Sequence, residues 1–295
     1  MCTGLRYNAC MGRNFDYEKS YNEEIITVEE GRFGNKYPII GVGTGFIEDY
    51  PLLYDGMNCM GLCCAGLAFT GNAEYNGVRE GMVNVPSYDL TFQILSHFDS
   101  VGSLRKELDV LNITLEDYSK DLPSTDLHWF VCDKDESLVI EQTSEGLGYY
   151  DAKTNVLTNN PPYPLQLDNY QDEKEYIGCI AGYNSEKWLT RGIETDNLKG
   201  GYTSEERFIR ASYLRDKLEL ADSPFDDVTE TFHLLSSVEQ VYGLTPVEDR
   251  FEYTIYSAVY DMNDLLLYVK TYEGNHNHND GYPIHQFSGD WRWPL

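Results

Sequence analysis

The sequence predicts an α+β protein in which sheets and helices pack in layers. Segments with the character of β-strands lie near the two ends and in the middle of the 295-residue chain, and helical segments lie between them. The two kinds of segment do not alternate regularly, as they would around a parallel sheet. No stretch rich in glycine, serine or proline divides the chain, so we expect one domain over residues 1–295.

Short runs of β-branched residues predict consecutive strands in the first part of the chain. They cover residues 24–28 and 37–42, and turns that contain glycine separate them. Residues 62–69 form an apolar run of mostly small side chains, which suits a strand buried on both faces. The adjacent Cys63 and Cys64 in this run are interpreted as core residues.

Two helices are predicted after this strand. Residues 88–98 have a mixed apolar face, and Leu104, Leu108 and Leu111 recur at helical spacing behind Ser103. Such spacing is typical of helices that bury one face against a neighbouring element.

A hairpin is predicted in the middle of the chain. Its strands cover residues 127–133 and 138–143, with a charged turn between them. A shorter strand at 155–158 stops before two consecutive prolines, which cannot donate backbone hydrogen bonds to a sheet. His128, in the first strand of the hairpin, is interpreted as a structural histidine rather than a base.

The last third of the chain carries the strongest helix signal. Thr203 and Glu206 have the spacing of a capping box, and an apolar face follows until about residue 220. Apolar residues at helical spacing indicate another helix around residues 228–235. Residues 251–261 and 265–272 then predict a late antiparallel pair of strands.

The charge balance limits the possible partners. The chain carries 22 lysines and arginines against 49 aspartates and glutamates, a formal net charge of −27. Nucleic acids and anionic membrane surfaces bind clusters of basic residues, so neither is expected as a partner. No apolar run reaches the length of about 18 residues that a membrane-spanning helix needs.

The cysteines and the first residues predict a cytoplasmic protein. The seven cysteines are irregularly spaced, which fits reduced thiols better than a disulfide framework. The first residues lack the apolar segment of a secretory signal. Cys59 and Cys63 lack a second pair of zinc ligands, and the spacing of His276 and His278 fits a polar loop better than a metal site. We therefore expect no metal and no cofactor.

Cys2 is the candidate nucleophile. Removal of Met1 would make Cys2 the N-terminal residue. This one residue would then carry both a side-chain thiol and a free α-amine. An α-amine titrates at a pKa of roughly 7.7–8.0, so it can accept a thiol proton at neutral pH. Such a site also needs a positive charge, an anchor for the amine and donors for an oxyanion. Arg13 and Asp16 are candidates for the first two, if residues 12–16 pair back on residues 2–7.

Short motifs occur in order along nearly the whole chain. They are Met-Cys-Thr-Gly at 1–4, Gly-Arg-Asn-Phe-Asp at 12–16, Asp-Gly-Met-Asn at 55–58 with Gly-Leu at 61–62, Leu-His-Trp at 127–129, Ile-Glu-Gln-Thr at 140–143, Leu-Thr-Asn at 157–159 and Arg-Phe-Ile-Arg at 207–210. Together they resemble the choloylglycine hydrolase family, which contains bile-salt hydrolases and penicillin V acylases and belongs to the N-terminal-nucleophile hydrolases. The resemblance implies a four-layer αββα sandwich of two antiparallel sheets, in a single domain that loses residue 1 on maturation.

The resemblance also implies a role for individual residues. Cys2 would be the nucleophile and its amine the base, with Arg13 beside the thiol and Asp16 holding the amine. Asn159 matches the side-chain donor of the oxyanion hole. Arg207 matches an arginine that supports the site from the start of a helix.

Other matched positions bear on substrate selectivity. Phe15 would contact the substrate, and Ala68 stands where the family provides a backbone N–H to the oxyanion. This position resembles asparagine in bile-salt hydrolases and tyrosine in penicillin V acylases, and alanine matches neither. The connection between Cys2 and Arg13 is shorter than usual in the family, and the stretch usually found before the Arg207 helix is replaced by residues 197–202.

The implied function is cysteine-dependent hydrolysis of a linear, non-peptide amide. Bile-salt-like conjugates that release glycine or taurine are the first substrate class, and penicillin V or another N-acyl amide is the alternative. A catalytically silent homologue that binds an amphipathic ligand is a further alternative. Both named substrates are anions, which a net charge of −27 repels at long range, so an uncharged or cationic amide also stays open. The resemblance implies a homo-oligomer, either a tetramer or a dimer.

The first prediction concerns the start of the mature protein. Intact-mass analysis should show the loss of one methionine, together with one stoichiometric iodoacetamide adduct that peptide mapping assigns to Cys2. Met1 retained on the purified protein would exclude an amine base at Cys2, because the nitrogen of a peptide bond is not basic.

Overall fold

Two antiparallel sheets stacked face to face form the middle of the molecule. The computed structural model describes residues 1–47, 50–120, 123–178, 192–274, 282–284 and 292–294. Apolar side chains from both sheets meet in one buried cluster, which includes Leu5, Met11, Ala65, Phe130 and Val259. Helices cover the outer face of each sheet, so the predicted αββα layering is confirmed.

The first sheet contains the first two strands of the chain and most of the strands from its last part. In chain order its strands are β1 (Cys2–Tyr7), β2 (Cys10–Tyr17), β12 (Val156–Leu157), β13 (Thr245–Val247), β14 (Arg250–Asp261), β15 (Leu266–Thr271) and β16 (Tyr282–Pro283). They lie in the order β12-β1-β2-β14-β15-β16, and β13 pairs with β14. The first two strands therefore occupy the interior of the sheet.

The second sheet is formed mainly by the first half of the chain. Its strands are β3 (Glu23–Val28), β4 (Ile39–Ile47), β5 (Tyr50–Asn58), β6 (Cys63–Ala68), β9 (Leu127–Cys132), β10 (Ser137–Thr143), β11 (Gly146–Asp151) and β17 (Arg292–Pro294). Their order is β11-β10-β9-β6-β5-β4-β3-β17. A separate parallel pair joins β7 (Val83–Pro86) to β8 (Leu111–Thr114).

The helices divide between the two outer faces. They are α1 (Leu90–His97), α2 (Val101–Arg105), α3 (Tyr163–Lys174), α4 (Ser204–Ala221) and α5 (Asp227–Ser236), with short 3₁₀ turns at Ser87–Asp89, Leu108–Val110 and Ile193–Thr195. Helix α1 packs on β5 and β6, whereas α4 and α5 pack on β1, β2 and β14 and α3 packs on α4. Within the described ranges, every helix is too short or too polar to cross a membrane.

The predicted hairpin at the start of the chain is confirmed. Thr3 lies opposite Asn14 and Gly4 opposite Arg13, and a two-residue turn at residues 8–9 joins the strands. Asn8 has a φ of 48°, a conformation that asparagine tolerates better than most side chains.

Strand β6 is buried on both faces, as its composition predicts. Cys63, Ala65 and Leu67 point into the core between the sheets. Cys64 belongs to a second apolar cluster beneath α1, together with Trp129. The two adjacent cysteines are therefore packing residues on opposite faces.

The helix predicted from the three leucines is wrong. Helix α2 ends at Arg105, a 3₁₀ turn holds Leu108, and Leu111 begins β8. The N-cap is Ser100, whose side chain accepts a hydrogen bond from the Ser103 amide at 3.2 Å. The leucines share one apolar cluster because the chain returns to it repeatedly, which reproduces helical spacing without a continuous helix.

Other expectations need smaller corrections. The strand expected at 155–158 is the two-residue β12, which pairs with β1. The central hairpin of β9 and β10 is extended by a third strand, β11, which pairs with β10 and was not predicted. Helix α3 was also not predicted, since it begins directly after the prolines at 161 and 162 and its exposed face is polar.

The contact between β2 and α5 gives a prediction about stability. A Cβ atom added to Gly12 would lie 2.7 Å from Thr231 Cγ2 and 3.1 Å from Leu235 Cδ1. Because α5 would have to move outward, Gly12→Ala should lower the free energy of unfolding by about 1–3 kcal/mol, measured by urea denaturation. Gly77→Ala is the control, since a Cβ there meets no atom within 4 Å. Equal midpoints for the two variants would contradict the close packing.

Candidate active site

The predicted site residues converge at one end of the first sheet. Cys2 begins β1 and lies opposite Phe15 of β2. On the other side of β2, strand β14 places Ala258 opposite Arg13. Asn159 follows β12, which pairs with the opposite edge of β1. The antiparallel pairing thus gathers residues that lie far apart in the sequence.

A buried guanidinium lies beside the thiol. Arg13 Nη2 is 3.3 Å from Cys2 Sγ, and Nη1 donates to Gly66 O at 2.7 Å. Arg13 Nε lies 3.0 Å from Asp55 Oδ2. Arg13 is 1% exposed, so its charge acts on the sulfur with little screening by water. A positive charge in this position favours the thiolate form of a cysteine.

Asp55 supports this guanidinium, although the sequence analysis gave it no role. Tyr256 donates to Asp55 Oδ2 at 2.5 Å, and the Tyr260 hydroxyl donates to Oδ1. Burial raises the pKa of Asp55, while Arg13 and the two tyrosine hydroxyls lower it in part. The spacing of the tyrosines was an available signal, because residues i and i+4 of a strand share one face.

The side-chain amide of Asn159 lies between the first sheet and β6. Its Oδ1 accepts from the Cys2 backbone nitrogen at 2.8 Å and from Arg207 Nη2 at 2.7 Å. Its Nδ2 donates to the Ala68 carbonyl at 2.7 Å. An amide nitrogen carries two protons, so one proton of Nδ2 stays available for another acceptor.

Arg207 ties the start of α4 to the start of β1. Its Nη1 donates to Cys2 O at 2.7 Å and to Thr3 Oγ1 at 2.8 Å. The side chain is fully buried, and Nη1 lies 3.8 Å from Asp16 Oδ2. Arg207 therefore contacts the backbone of Cys2 and the side chain of Asn159.

Asp16 meets the chain terminus through its backbone. The Met1 amine donates to Asp16 O at 2.7 Å, and Asp16 N donates to Met1 O at 3.0 Å. Burial lowers the pKa of this amine, although Cys2 and Asp16 partly raise it. The Asp16 carboxylate accepts from Thr254 Oγ1 at 2.6 Å and from Gln240 Nε2 at 3.0 Å. Gln240 and Thr254 were not found from the sequence, since neither belongs to a recognisable motif.

A cavity of about 390 Å³ adjoins the thiol. Its size is in the range of pockets that hold one small organic molecule. Phe15 forms part of the wall and stacks between Tyr54 and Tyr256, with ring centroids 5.1 and 5.2 Å apart. Aromatic and aliphatic side chains make up much of the remaining wall, namely Tyr17, Tyr21, Leu52, Leu53, Tyr88, Tyr118 and Leu127.

An exposed lysine also lines the cavity. Lys19 belongs to the lining, and its ammonium lies 4.7 Å from the centroid of the Tyr21 ring. Among the described lining residues, the other cation is Arg13, which already faces Cys2 and Asp55.

Ala68 lies on the wall near Asn159, so a larger side chain there would reduce the space beside the thiol.

The described residues contain no group of three or more His, Cys, Asp and Glu side chains that could hold a metal ion. His276 and His278 lie outside the described residues. The site itself brings together a thiol, a buried guanidinium and an amide donor.

Comparisons with known proteins agree with this geometry. A family model described as linear amide C–N hydrolases, choloylglycine hydrolase family, matches residues 2–279. A bile salt hydrolase/transferase from Lactiplantibacillus plantarum is 38% identical over 316 residues, covering 96% of this chain and 97% of that protein. A bile salt hydrolase/transferase from Clostridium perfringens is 34% identical over 301 residues, covering 93% and 90%.

Solved structures show the same fold. A variant of conjugated bile acid hydrolase from Clostridium perfringens superposes with a TM-score of 0.89 at 31% identity, covering 100% of this chain and 97% of that one. Penicillin V acylase from Agrobacterium tumefaciens has a TM-score of 0.74 at 16% identity, covering 99% and 90%, and shares the fold. Because the family model and these relatives span nearly its whole length, the chain belongs to the choloylglycine hydrolase family of linear amide C–N hydrolases.

Proposed function

We propose that this enzyme hydrolyses the amide bond of conjugated bile salts and releases glycine or taurine, with Cys2 as its nucleophile. The observation that carries the proposal is the Cys2 thiol, which lies 3.3 Å from the buried Arg13 guanidinium at the wall of an aromatic cavity. The names of the two relatives that are 38% and 34% identical support the substrate class.

The proposed mechanism begins with the removal of Met1. The Cys2 nitrogen then becomes an amine, which can take the thiol proton. The Asp16 carboxylate is buried and lies 3.8 Å from Arg207 Nη1, which itself bonds to Cys2 O. Arg207 thus contacts both the Asp16 carboxylate and the backbone of Cys2. This arrangement supports a role for Asp16 as the electrostatic anchor of the amine.

The thiolate then attacks the amide carbonyl carbon, and a carbon–sulfur bond forms. The negative charge moves to the carbonyl oxygen, where the second proton of Asn159 Nδ2 and the backbone N–H of Ala68 are the proposed donors. The ammonium of Cys2 gives its proton to the leaving nitrogen as the carbon–nitrogen bond breaks. Water then attacks the thioester, and the acid and the free thiol are released.

The cavity supports a substrate with a bulky apolar acyl group. Phe15, Tyr54 and Leu127 offer flat or branched apolar surfaces near the thiol. Lys19 is a cation in the lining, and it can attract the carboxylate or sulfonate of a conjugated amine despite the net charge of −27. Beyond a distance of about 8–10 Å, physiological salt screens much of the repulsion from the rest of the protein.

We also propose that the enzyme works in the cytoplasm. The cysteines within the described ranges are free thiols, which supports a reducing compartment. Assembly as a tetramer or a dimer stays a prediction.

A substrate panel tests the proposal. The mature enzyme is given glycine- and taurine-conjugated bile salts, penicillin V and N-acyl amino acids, and amine release is measured. We expect the conjugated bile salts to have the highest kcat/KM, and added salt to raise this value because it screens the repulsion between two anions. Cys2→Ala should abolish turnover, whereas Cys59→Ala, at a half-buried thiol, should retain it. Preferential cleavage of penicillin V would contradict the substrate assignment.

Substitution of Asn159 tests the oxyanion donor. Asn159→Ala should lower kcat by a factor of about 100–1,000 while Cys2 still reacts with iodoacetamide, because the nucleophile and its arginine are unchanged. Asn160→Ala is the matched control, since its side chain donates to Thr70 O at 2.8 Å on the exposed side. Near-normal turnover by a folded Asn159→Ala protein would exclude Asn159 as a donor.

A further inference from the structure

A buried imidazole behind the site has an acceptor at each ring nitrogen. His128 and Glu141 are 0% and 1% exposed. His128 Nε2 lies 3.0 Å from Thr158 O, and Nδ1 lies 2.9 Å from Glu141 Oε1. A carbonyl oxygen accepts hydrogen bonds and cannot donate them, so Nε2 must carry a proton. An ionised Glu141 is likewise an acceptor, and then Nδ1 must carry a proton too.

Both carboxylate oxygens of Glu141 accept from a backbone donor. Tyr163 N, the first backbone nitrogen of α3, donates to Oε1 at 3.0 Å and to Oε2 at 3.1 Å. A carboxylate at a helix N-terminus is stabilised by the helix dipole and by the free N–H groups there. With Glu141 ionised, His128 and Glu141 would form a buried imidazolium–carboxylate pair whose net charge is zero.

The carbonyl that His128 binds belongs to the peptide group that enters Asn159. The nitrogen of the same peptide group, Asn159 N, donates to Ser204 Oγ at 2.8 Å. The next carbonyl, Asn159 O, accepts from Gln166 Nε2 at 2.5 Å. Because a peptide group is planar, partners at its oxygen and at its nitrogen prevent it from rotating. This fixed backbone sets the position from which the Asn159 side chain extends, and the bonds to Cys2 N, Arg207 and Ala68 O then hold its amide.

The pair also reaches the other side of the oxyanion site. The His128 ring stacks on Phe69 with centroids 4.3 Å apart and an angle of 9° between the planes. Phe69 directly follows Ala68, whose carbonyl accepts the Asn159 side chain at 2.7 Å. Glu141 meanwhile holds the start of α3, the helix that carries Gln166.

We propose that His128 and Glu141 form a charged pair that positions Asn159 for the reaction. This inference rests on the proposed function, in which Asn159 stabilises the oxyanion. His128 and Glu141 do not line the cavity, so they are positioning residues that act through the backbone of Asn159. His128 and Glu141 belong to the motifs at residues 127–129 and 140–143, and this role agrees with His128 being a structural histidine rather than a base.

The kinetic test uses Glu141→Gln, which keeps the shape and an acceptor for Tyr163 N but removes the charge. Misplacement of Asn159 should lower kcat by a factor of about 10–100 and change KM little, because the cavity wall is intact. Iodoacetamide should label Cys2 at the normal rate. Glu145→Gln, an exposed change of the same type, is the matched control.

A double-mutant cycle separates positioning from general support of the core. If Glu141 acts through Asn159, adding Glu141→Gln to Asn159→Ala should reduce kcat no further. Multiplied losses in the double variant, or a normal kcat in a folded but less stable Glu141→Gln, would overturn the proposal. The cycle is measured with whichever amide of the panel the enzyme cleaves, so a wrong substrate assignment does not affect it.

A spectroscopic test does not depend on activity. In ¹⁵N-labelled wild-type protein at neutral pH, the ring resonances that disappear in His128→Gln should show protons on both nitrogens. In Glu141→Gln one of these protons should be lost. A singly protonated His128 in the wild-type protein would overturn the charged pair, even if bile salts are hydrolysed.

Discussion

The ion pair between Arg13 and Asp55 is the interaction on which the site depends. Arg13 lies on the first sheet, whereas Asp55 and Gly66, its partners, lie on the second. The guanidinium thus crosses the core between the sheets and ends beside the thiol. If the two sheets were displaced, Arg13 would lose Asp55 and Gly66, the partners that hold its guanidinium in place beside the sulfur. The distance between the two sheets therefore determines where the guanidinium lies beside the nucleophile.

Such a pair is expensive to bury. Removing two charges from water costs several kcal/mol per ion. The attraction between the ions offsets this cost only when further hydrogen bonds satisfy their remaining donors and acceptors. Tyr256 and Tyr260 do this for Asp55. The net stability of the fold must come instead from the apolar side chains that surround the pair between the sheets. Stability and chemistry thus share one layer of the protein but use different residues.

Local patterns in the sequence predicted the hairpin of Cys2 and Arg13, the buried β6 and the capped helix α4. Each of these patterns depends only on residues that are close together in the sequence, so it can be recognised without knowledge of the fold. The leucines at 104, 108 and 111 misled because burial was mistaken for helical periodicity. Gln240 and Thr254 could not be predicted, since their contact with Asp16 exists only after distant strands pair.

The short turn at residues 8–9 bears on how the family can vary. Cys2 and Arg13 are placed by register: Arg13 lies opposite Gly4 on one side and Ala258 on the other. The number of residues between them is not what holds them together, so the connection can be trimmed in pairs without turning either side chain to the wrong face. A hairpin of this kind separates the length of a loop from the position of the catalytic groups. Family members can therefore gain or lose turns at the surface while the distance between sulfur and guanidinium stays the same.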